Sequence, residues 1–553
     1  MEKLKPKLFS VMKNYSFAQF GKDFVSGIIV AVIALPLSIA LAIASGVSPV
    51  AGIYTAIIAG FLVSFLGGSR VQIAGPTAAF ATIVAGIVAQ SGTEGLMVAT
   101  ILAGILLIIM GLCRFGVLLK FIPYTITTGF TAGIAVTLFI GQVKDFCGLT
   151  YPAGTPTIET MEKVAAICKN ISTINWWAVL VGAICMIILV FWPKVSKKIP
   201  GSLIAVIASA LIVKLCNLDV NTIGSLYPDL SNKLPVFTVT KKCFEFATIK
   251  AQFGNAFTIA ILAGIESLLS AVVADSMINS KHRSNMELVA QGVANIGSAC
   301  FGGIPATGAI ARTAANIKNG GRTPVAGMIH SITLVLVLVL LMPYAKLIPM
   351  PCIAAILFQV AWNMAGVKNF VNLCKTSSKS DIFVLFLTFT LTVVFDLVVA
   401  IEFGLIAAAF LFMKRMSDET YVESWKDFSD EDNDIDSTSK KIVPPRTLVY
   451  EVQGPMFFAA AEKLLEINPT EDYDYLVLRM RGVETIDSTA MKNFNILCDR
   501  CKSAGIQLVF SHLNEQPMKM MKKSGFIEKV GEKYFAPHID SALELCKKGG
   551  MIN

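Results

Sequence analysis

Over roughly the first 415 residues, polar positions are gathered into short intervals between long apolar runs. Such runs lie near 24–44, 50–66, 96–112, 121–143, 175–192 and 201–216, and again near 254–274, 286–301, 324–343, 350–365, 381–395 and 398–413. A membrane helix needs about 20 mostly apolar residues, so each run predicts a crossing. Two shorter segments, 77–90 and 307–318, are broken at their starts by AGPT and GIPAT, and with them the count is fourteen. An even count puts both ends of this region on one face of the membrane. Arg70, Arg114, Lys120, Lys194, Lys197, Lys198, Lys281, Arg283, Lys318, Arg322, Lys368, Lys375, Lys379, Lys414 and Arg415 all fall in short loops on that face. The positive-inside rule makes it cytoplasmic.

Beyond residue 416 the pattern changes. A polar stretch holds the acidic run SDEDNDID at 429–436 and then VPP, the composition of a solvated tether. From Arg446, strand-like LVYEVQ, YLVLRM and IQLVFSHL alternate with helical stretches such as STAMKNFNILCDRCKSA. The predicted organisation is a cytoplasmic N-terminal segment (1–22), a transmembrane domain (23–416), an acidic linker (417–445) and a small cytoplasmic α/β domain (446–553).

Composition agrees with that division. Of 553 residues, 54% are hydrophobic and 15% charged, with a mean hydropathy of +0.67, whereas soluble domains carry about 25% charged residues. The net charge of +9 sits mostly in the loops just named, so no nucleic-acid partner is implied. The opening stretch MEKLKPKLFSVMKNYSFAQFGKD is basic, but its apolar run is too long and lacks a cleavage site, so no removable signal is expected. The twelve cysteines are scattered, many inside apolar runs, and imply no disulfide framework. No nucleophile–base pair, metal-ligand cluster or phosphate loop is present, which argues against an enzyme, a metal or a cofactor.

The membrane region divides into two halves, about 23–217 and 254–416. Pro76 and Pro305, which open the two broken segments, lie 229 positions apart (305 − 76). The same offset carries Pro36 of the first segment to 265, next to Glu266 of the eighth. With seven crossings each, the halves run through the membrane in opposite senses. In transporters built from inverted repeats, paired Gly/Pro-broken segments point to the binding site. A half-helix starting at mid-membrane aims its unpaired N–H groups and positive dipole end at whatever sits there, so two facing each other make an anion site.

VSGIIVAVIALPLSIALAIASGVSPVAGIYTAIIAG, GGSRVQIAGPTAAFA, KHRSNMELVAQGVANI and GGIPATGAIARTAANIKNGGRTPVAG together resemble the SulP (sulfate permease) anion transporters. RTLVYEVQGPMFF and LVLRMRGVETIDSTA resemble the STAS domain that those proteins carry. The resemblance covers nearly the whole chain. It implies a seven-plus-seven inverted repeat with core and gate subdomains, a homodimer, and an elevator-like movement with the anion between the third and tenth helices. By position, it implies substrate contacts from Pro76, Thr77, Ala78 and Phe80 on one half-helix and from Ala306, Thr307 and Gly308 on the other. Leu37 and Leu41 would form a wall, and Arg312 would add positive potential. One position departs: many sulfate-transporting members read Pro-Gln where this chain has Pro36-Leu37, which removes an amide able to bond substrate oxygens.

Glu266 is the one carboxylate in the apolar run near 254–274. An ionisable group at that depth is expensive, and by default it marks function. Ser270 lies four residues on and shares its helix face. One reading is structural, a carboxylate bonded to a neighbouring helix or paired with Arg312. The other is ion coupling: an ionised Glu266 repels a bound anion, and protonation removes that repulsion. Proton–anion symport follows, with sodium as the alternative, since sodium would need several oxygen ligands. Asp275 and the 281–283 cluster KHR read as interfacial anchors, as do Asp396 and Glu402.

In the C-terminal domain, Asp487 and Ser488 fit a helix N-cap, and Ser488 is a candidate regulatory phosphosite by resemblance to STAS proteins of the anti-sigma-antagonist type. Cys498 and Cys501 have CxxC spacing but no second pair, so helix packing is expected. His512 and His538 suggest no catalytic constellation. The reading is a secondary transporter of sulfate, bicarbonate or a dicarboxylate in a bacterial inner membrane, with both termini cytoplasmic and a cytosolic partner for the STAS domain. The alternatives are a sodium-coupled bicarbonate symporter and an uncoupled channel or exchanger.

Overall fold

Ser16 accepts a hydrogen bond from Gln19 N (3.2 Å) and so opens the first long helix, α1 (Phe17–Ala44). Pro36 lies inside this 28-residue helix without ending it. Pro49 sits in the first turn of α2 (Pro49–Leu66), where its missing N–H removes no intrahelical bond. The computed structural model describes residues 4–116, 123–196, 200–228, 230–239, 245–395, 397–425, 441–468, 470 and 472–549. Lys120, Lys197, Lys198, Asp396 and the acidic run 429–436 lie outside the described residues.

After strand β1 (Ala74–Gly75), the chain forms α3 (Ala81–Leu112). This single helical element holds two expected crossings, divided by a kink at Gly92 with φ 67° and ψ −172°. Only glycine takes that conformation without strain. There follow α4 (Tyr124–Cys147), α5 (Trp176–Val195), α6 (Gly201–Leu215), α7 (Phe246–Ile278) and α8 (Ser284–Cys300). Strand β2 (Thr307–Gly308) then leads into α9 (Ile310–Lys318). The membrane region ends with α10 (Val325–Ala345), α11 (Met350–Ala365), α12 (Lys379–Val394) and α13 (Leu397–Asp418). At nine residues, α9 spans about 14 Å, half of a bilayer core of about 30 Å.

Two bundles form within this unit. In one, α1, α2, α3, α7, α8, α9 and α10 pack among themselves; in the other, α4, α5, α6, α11 and α12 do. They correspond to the expected core and gate, each drawing on both halves of the chain. The halves meet at β1 and β2, which pair antiparallel with Ala74 opposite Gly308 and Gly75 opposite Thr307. Antiparallel pairing of equivalent strands is what an inverted repeat requires.

Where α3 crosses α8, Gly104 and Gly292 let the backbones touch. A Cβ on Gly292 would stand 2.5 Å from Gly104 O, and one on Gly104 would stand 2.6 Å from Gly292 O. Backbone cannot swing aside as a side-chain tip can. Gly292→Ala is therefore expected to destabilise the core bundle by about 1–3 kcal/mol, read as a lower melting temperature in detergent; an unchanged melt would contradict this packing.

The chain divides into compact units at Leu405/Ile406. In the second unit, five strands among the described residues run in the order β3 (Tyr421–Ser424), β4 (Thr447–Gln453), β5 (Tyr475–Gly482), β6 (Gln507–Ser511), β7 (Phe535–Ala536). Only the β3–β4 pair is antiparallel. The sheet thus takes in Tyr421–Ser424, inside the stretch expected as linker from 417. Edge pairing with β4 holds it there, and Trp425 Nε1 donates to Glu451 (3.1 Å), which also pairs with Arg479 (3.1 Å).

Helix α14 (Ser488–Ser503) begins at its N-cap Asp487, which accepts from Ala490 N at 2.8 Å, leaving Ser488 exposed as the first helical residue. Cys498 and Cys501 are buried in the core. Burial pushes the Cys501 thiol up to about 12 and raises Cys498 as well. Since the thiolate is the nucleophile, both stay protonated at neutral pH. Maleimide labelling of the folded protein near neutrality is expected to spare both while modifying exposed Cys168; fast labelling of Cys501 would contradict this packing.

Candidate functional site

The two chain breaks are held open by side chains from the core helices. Asn295 of α8 grips Ala306 as a strand would: Ala306 N donates to Oδ1 and Nδ2 donates to Ala306 O, both at 2.9 Å. On α7, Ser267 Oγ accepts from Gly308 N (3.0 Å) and lies 2.7 Å from Thr307 Oγ1, which donates to Ala263 O at 3.0 Å. Across the pairing, Ala309 N donates to Ile73 O (2.9 Å), Ile73 N to Thr313 Oγ1 (3.0 Å) and Asn316 Nδ2 to Val71 O (2.8 Å). Fully buried Glu287 accepts from Gly68 N (2.8 Å) and Ser69 N (3.0 Å), fixing the turn that leads into β1. Irregular backbone at membrane depth survives only when its polar groups are met by protein or water; here protein meets them.

Against this frame, two ionisable groups flank the Pro76–Thr77 turn. Arg312 of α9, 1% exposed, donates from Nη2 to Pro76 O (3.1 Å) and reaches Ser38 Oγ of α1 (3.4 Å). Thr77 Oγ1 donates to Glu266 Oε2 (2.9 Å) from the other direction. A cation and a carboxylate thus hold successive residues of one break. Among the described residues, neither Nε nor Nη1 of Arg312 has a hydrogen-bond partner. Nη1 packs on Gly75, where a Cβ would stand 2.3 Å away. The opening turns of α3 and α9 add N–H groups without intrahelical acceptors, so donors and positive potential converge here.

The expected residues divide into those at this turn and those behind it. Pro76, Thr77, Glu266 and Arg312 come together directly. Ala306, Thr307 and Gly308 lie in the extended segment ahead of α9 rather than in its first turn, and Asn295 and Ser267 occupy the N–H groups of Ala306 and Gly308. Ala78 and Phe80 are buried in the short 3₁₀ turn before α3. Leu41 is buried in the hydrophobic core and Leu37 packs partly buried against it. Ser270 points to Thr313 Oγ1 (3.4 Å), away from the Thr77–Glu266 contact.

Sequence reasoning passed over Ser38, Gln72, Ser267, Asn295 and His330. Gln72 is buried, donates to Ser267 O (3.3 Å) and fills the space over Gly308, leaving its Oε1 without a partner among the described residues. His330 of α10 is fully buried, and neither ring nitrogen has a partner there. Asp275, by contrast, is a local anchor: its carboxylate pairs with His282 Nδ1 at 2.7 Å.

A helical membrane domain of two inverted halves, joined at paired chain breaks and followed by a small α/β domain, defines the class: a polytopic membrane transport protein. Residues 20–388 match the sulfate permease family and residues 439–542 the STAS domain. The chain belongs to the sulfate permease family. It is 39% identical over 536 residues to YvdB of Bacillus subtilis (strain 168), named provisionally as a sulfate transporter, covering 96% of this chain and 98% of YvdB. The bicarbonate transporter BicA of Picosynechococcus sp. is 30% identical over 503 residues, covering 87% of this chain and 86% of BicA. The murine anion transporter Slc26a9 in its inward-facing state has a TM-score of 0.87, covering 99% of this chain and 94% of its own; at 18% identity it bears on fold alone. The named relatives are transporters, which sets the chain among transport proteins and not enzymes.

Proposed function

We propose that the chain is a secondary active transporter of small oxyanions or carboxylates, of the sulfate, bicarbonate or dicarboxylate class, working by proton symport. The observation that carries this reading is the Pro76–Thr77 turn, with buried Arg312 on one residue and Glu266 on the next. The unmet Arg312 donors and the helix openings supply attraction for an anion. Glu266, when ionised, opposes it. Binding of a proton at Glu266 removes that opposition, so anion and proton load together and leave together. Thr77 links the two, because its hydroxyl is held by the carboxylate while its backbone belongs to the substrate turn.

Division into core and gate bundles supports an elevator movement, in which the core carries the site across the membrane against a gate held in a homodimer. The basic short loops support an orientation with both termini and the STAS domain in the cytoplasm of a bacterial inner membrane. In the STAS domain, the exposure of Ser488 at the first position of α14 supports a regulatory phosphate there, since negative charge in the first turn of a helix is favoured, and a cytosolic protein is the partner we propose for this domain. Likeness to the bicarbonate transporter BicA favours bicarbonate as a second substrate reading, and sodium is the alternative coupled ion.

Uptake into proteoliposomes under imposed gradients, with a panel of labelled anions, tests the proposal. A proton gradient is expected to drive accumulation of sulfate, bicarbonate or a dicarboxylate above equilibrium. Accumulation driven only by sodium would replace the proton reading, and anion currents without accumulation would replace transport by a channel.

A further inference from the structure

A cavity of about 400 Å³ opens between the core and gate bundles on the side of the 144–174 segment. Its core walls include Thr82 and Gln90 of α3 and Asn255 of α7; its gate walls include Thr137 of α4 and Thr392 of α12. Over it lies the helix Thr160–Lys169, which contributes Lys163. The cavity begins at Thr82, two residues beyond Phe80, so it adjoins the half-helix whose opening turn forms the candidate site.

The charges around it are uneven. Glu159, the one carboxylate on the wall, is the N-cap of the overlying helix and is directed at that helix's opening N–H groups. Glu162 is held by Ile158 N (3.0 Å) and Glu159 N (3.1 Å). The Lys163 side chain is half-buried and, among the described residues, makes neither a close ion pair nor a hydrogen bond, although the adjacent Glu162 carboxylate acts on it through space. Burial holds its ammonium below the ordinary lysine value, a sign of poor hydration and strong response to a nearby negative charge. Of the remaining polar wall, Thr82, Gln90 and Asn255 present groups able to donate to an anion, whereas the hydroxyls of Thr137 and Thr392 donate to Ile134 O (2.9 Å) and Thr388 O (2.7 Å) of their own helices. At this volume, within the range of about 300–1,000 Å³ usual for ligand sites, a small anion fits with part of its water.

We propose that this cavity is a second, outward-facing anion subsite, in which Lys163 captures the hydrated substrate anion before it reaches the two half-helix openings. The proposal rests on the anion-transport reading above. Because both bundles line the cavity, it exists in this form only while the core stands in the present position against the gate. Lys163 is a positioning residue that raises the local anion concentration on one side of the membrane only.

The test compares wild type with Lys163→Gln and Lys163→Arg in the full-length protein, using radiolabelled sulfate and bicarbonate. Influx into intact cells reads the outward face, and uptake into inverted vesicles reads the cytoplasmic one. Lys163→Gln is expected to raise the outward KM several-fold to about tenfold, to flatten its dependence on salt, and to leave Vmax and the cytoplasmic KM unchanged. Lys163→Arg is expected to keep the wild-type KM. Equal outward KM values in wild type and Lys163→Gln would overturn the subsite, as would a loss of Vmax on both faces with no rescue by arginine. A wild type that moves no anion at all would instead refute the parent reading of transport.

Discussion

Glu266→Gln is expected to abolish concentrative, proton-driven anion uptake while leaving anion exchange measurable. Glutamine keeps the shape of the carboxyl and an oxygen able to accept from Thr77 Oγ1, so the 2.9 Å contact survives in kind. What it loses is the negative charge and the proton. The variant therefore resembles a carrier permanently loaded with its proton: an anion can bind and cross, but no gradient is consumed. Net uptake against a gradient should fall to background, and the pH dependence of the remaining exchange should flatten. Proteoliposome uptake at several external pH values checks this, and unchanged pH-dependent uptake in Glu266→Gln would contradict coupling at this residue.

Arg312→Gln is expected to raise the anion KM by about thirtyfold or more, since truncating one partner of a buried charged contact costs about 2–5 kcal/mol. Two of the guanidinium nitrogens have no partner among the described residues, and the third donates to Pro76 O. An uncompensated buried cation strains the empty protein. The same substitution should therefore leave the melting temperature of the anion-free protein unchanged or raise it. Loss of affinity with no loss of stability separates a binding arginine from a structural one. A large drop in melting temperature with an unaltered KM in the surviving protein would assign Arg312 to scaffolding instead.

Much of the architecture is written in hydrophobic pattern. Among the described residues the apolar runs became helices because length and composition decide that outcome in a membrane, and the proline-marked breaks at Pro76 and Pro305 stand where the two halves pair. Glu266 and Arg312 stood out because charge is rare in such runs. Their partners did not. Ser38, Ser267 and Asn295 are ordinary polar residues on helices, and their importance comes from the antiparallel approach of β1 and β2, which joins positions more than two hundred residues apart.

Spacing along one helix was a weaker guide. Ser270 shares a face with Glu266, yet Ser267, one turn closer to it, is the residue that meets Gly308 N, because β2 crosses α7 at that level. Gly92 gave no signal of a kink, since SGTEG fits a turn or a helix equally well. The edge strand Tyr421–Ser424 was hidden by its position ahead of an acidic run and by its shortness; only pairing with β4 makes it a strand.

Anion and proton are expected to cross the membrane together. Lumenal pH and anion accumulation, recorded together in the same proteoliposomes after adding labelled sulfate outside at symmetric sodium, measure this joint movement. The predicted result is lumenal acidification that follows anion entry in wild type and disappears in Glu266→Gln. Anion accumulation by wild type with no proton entry would contradict the account.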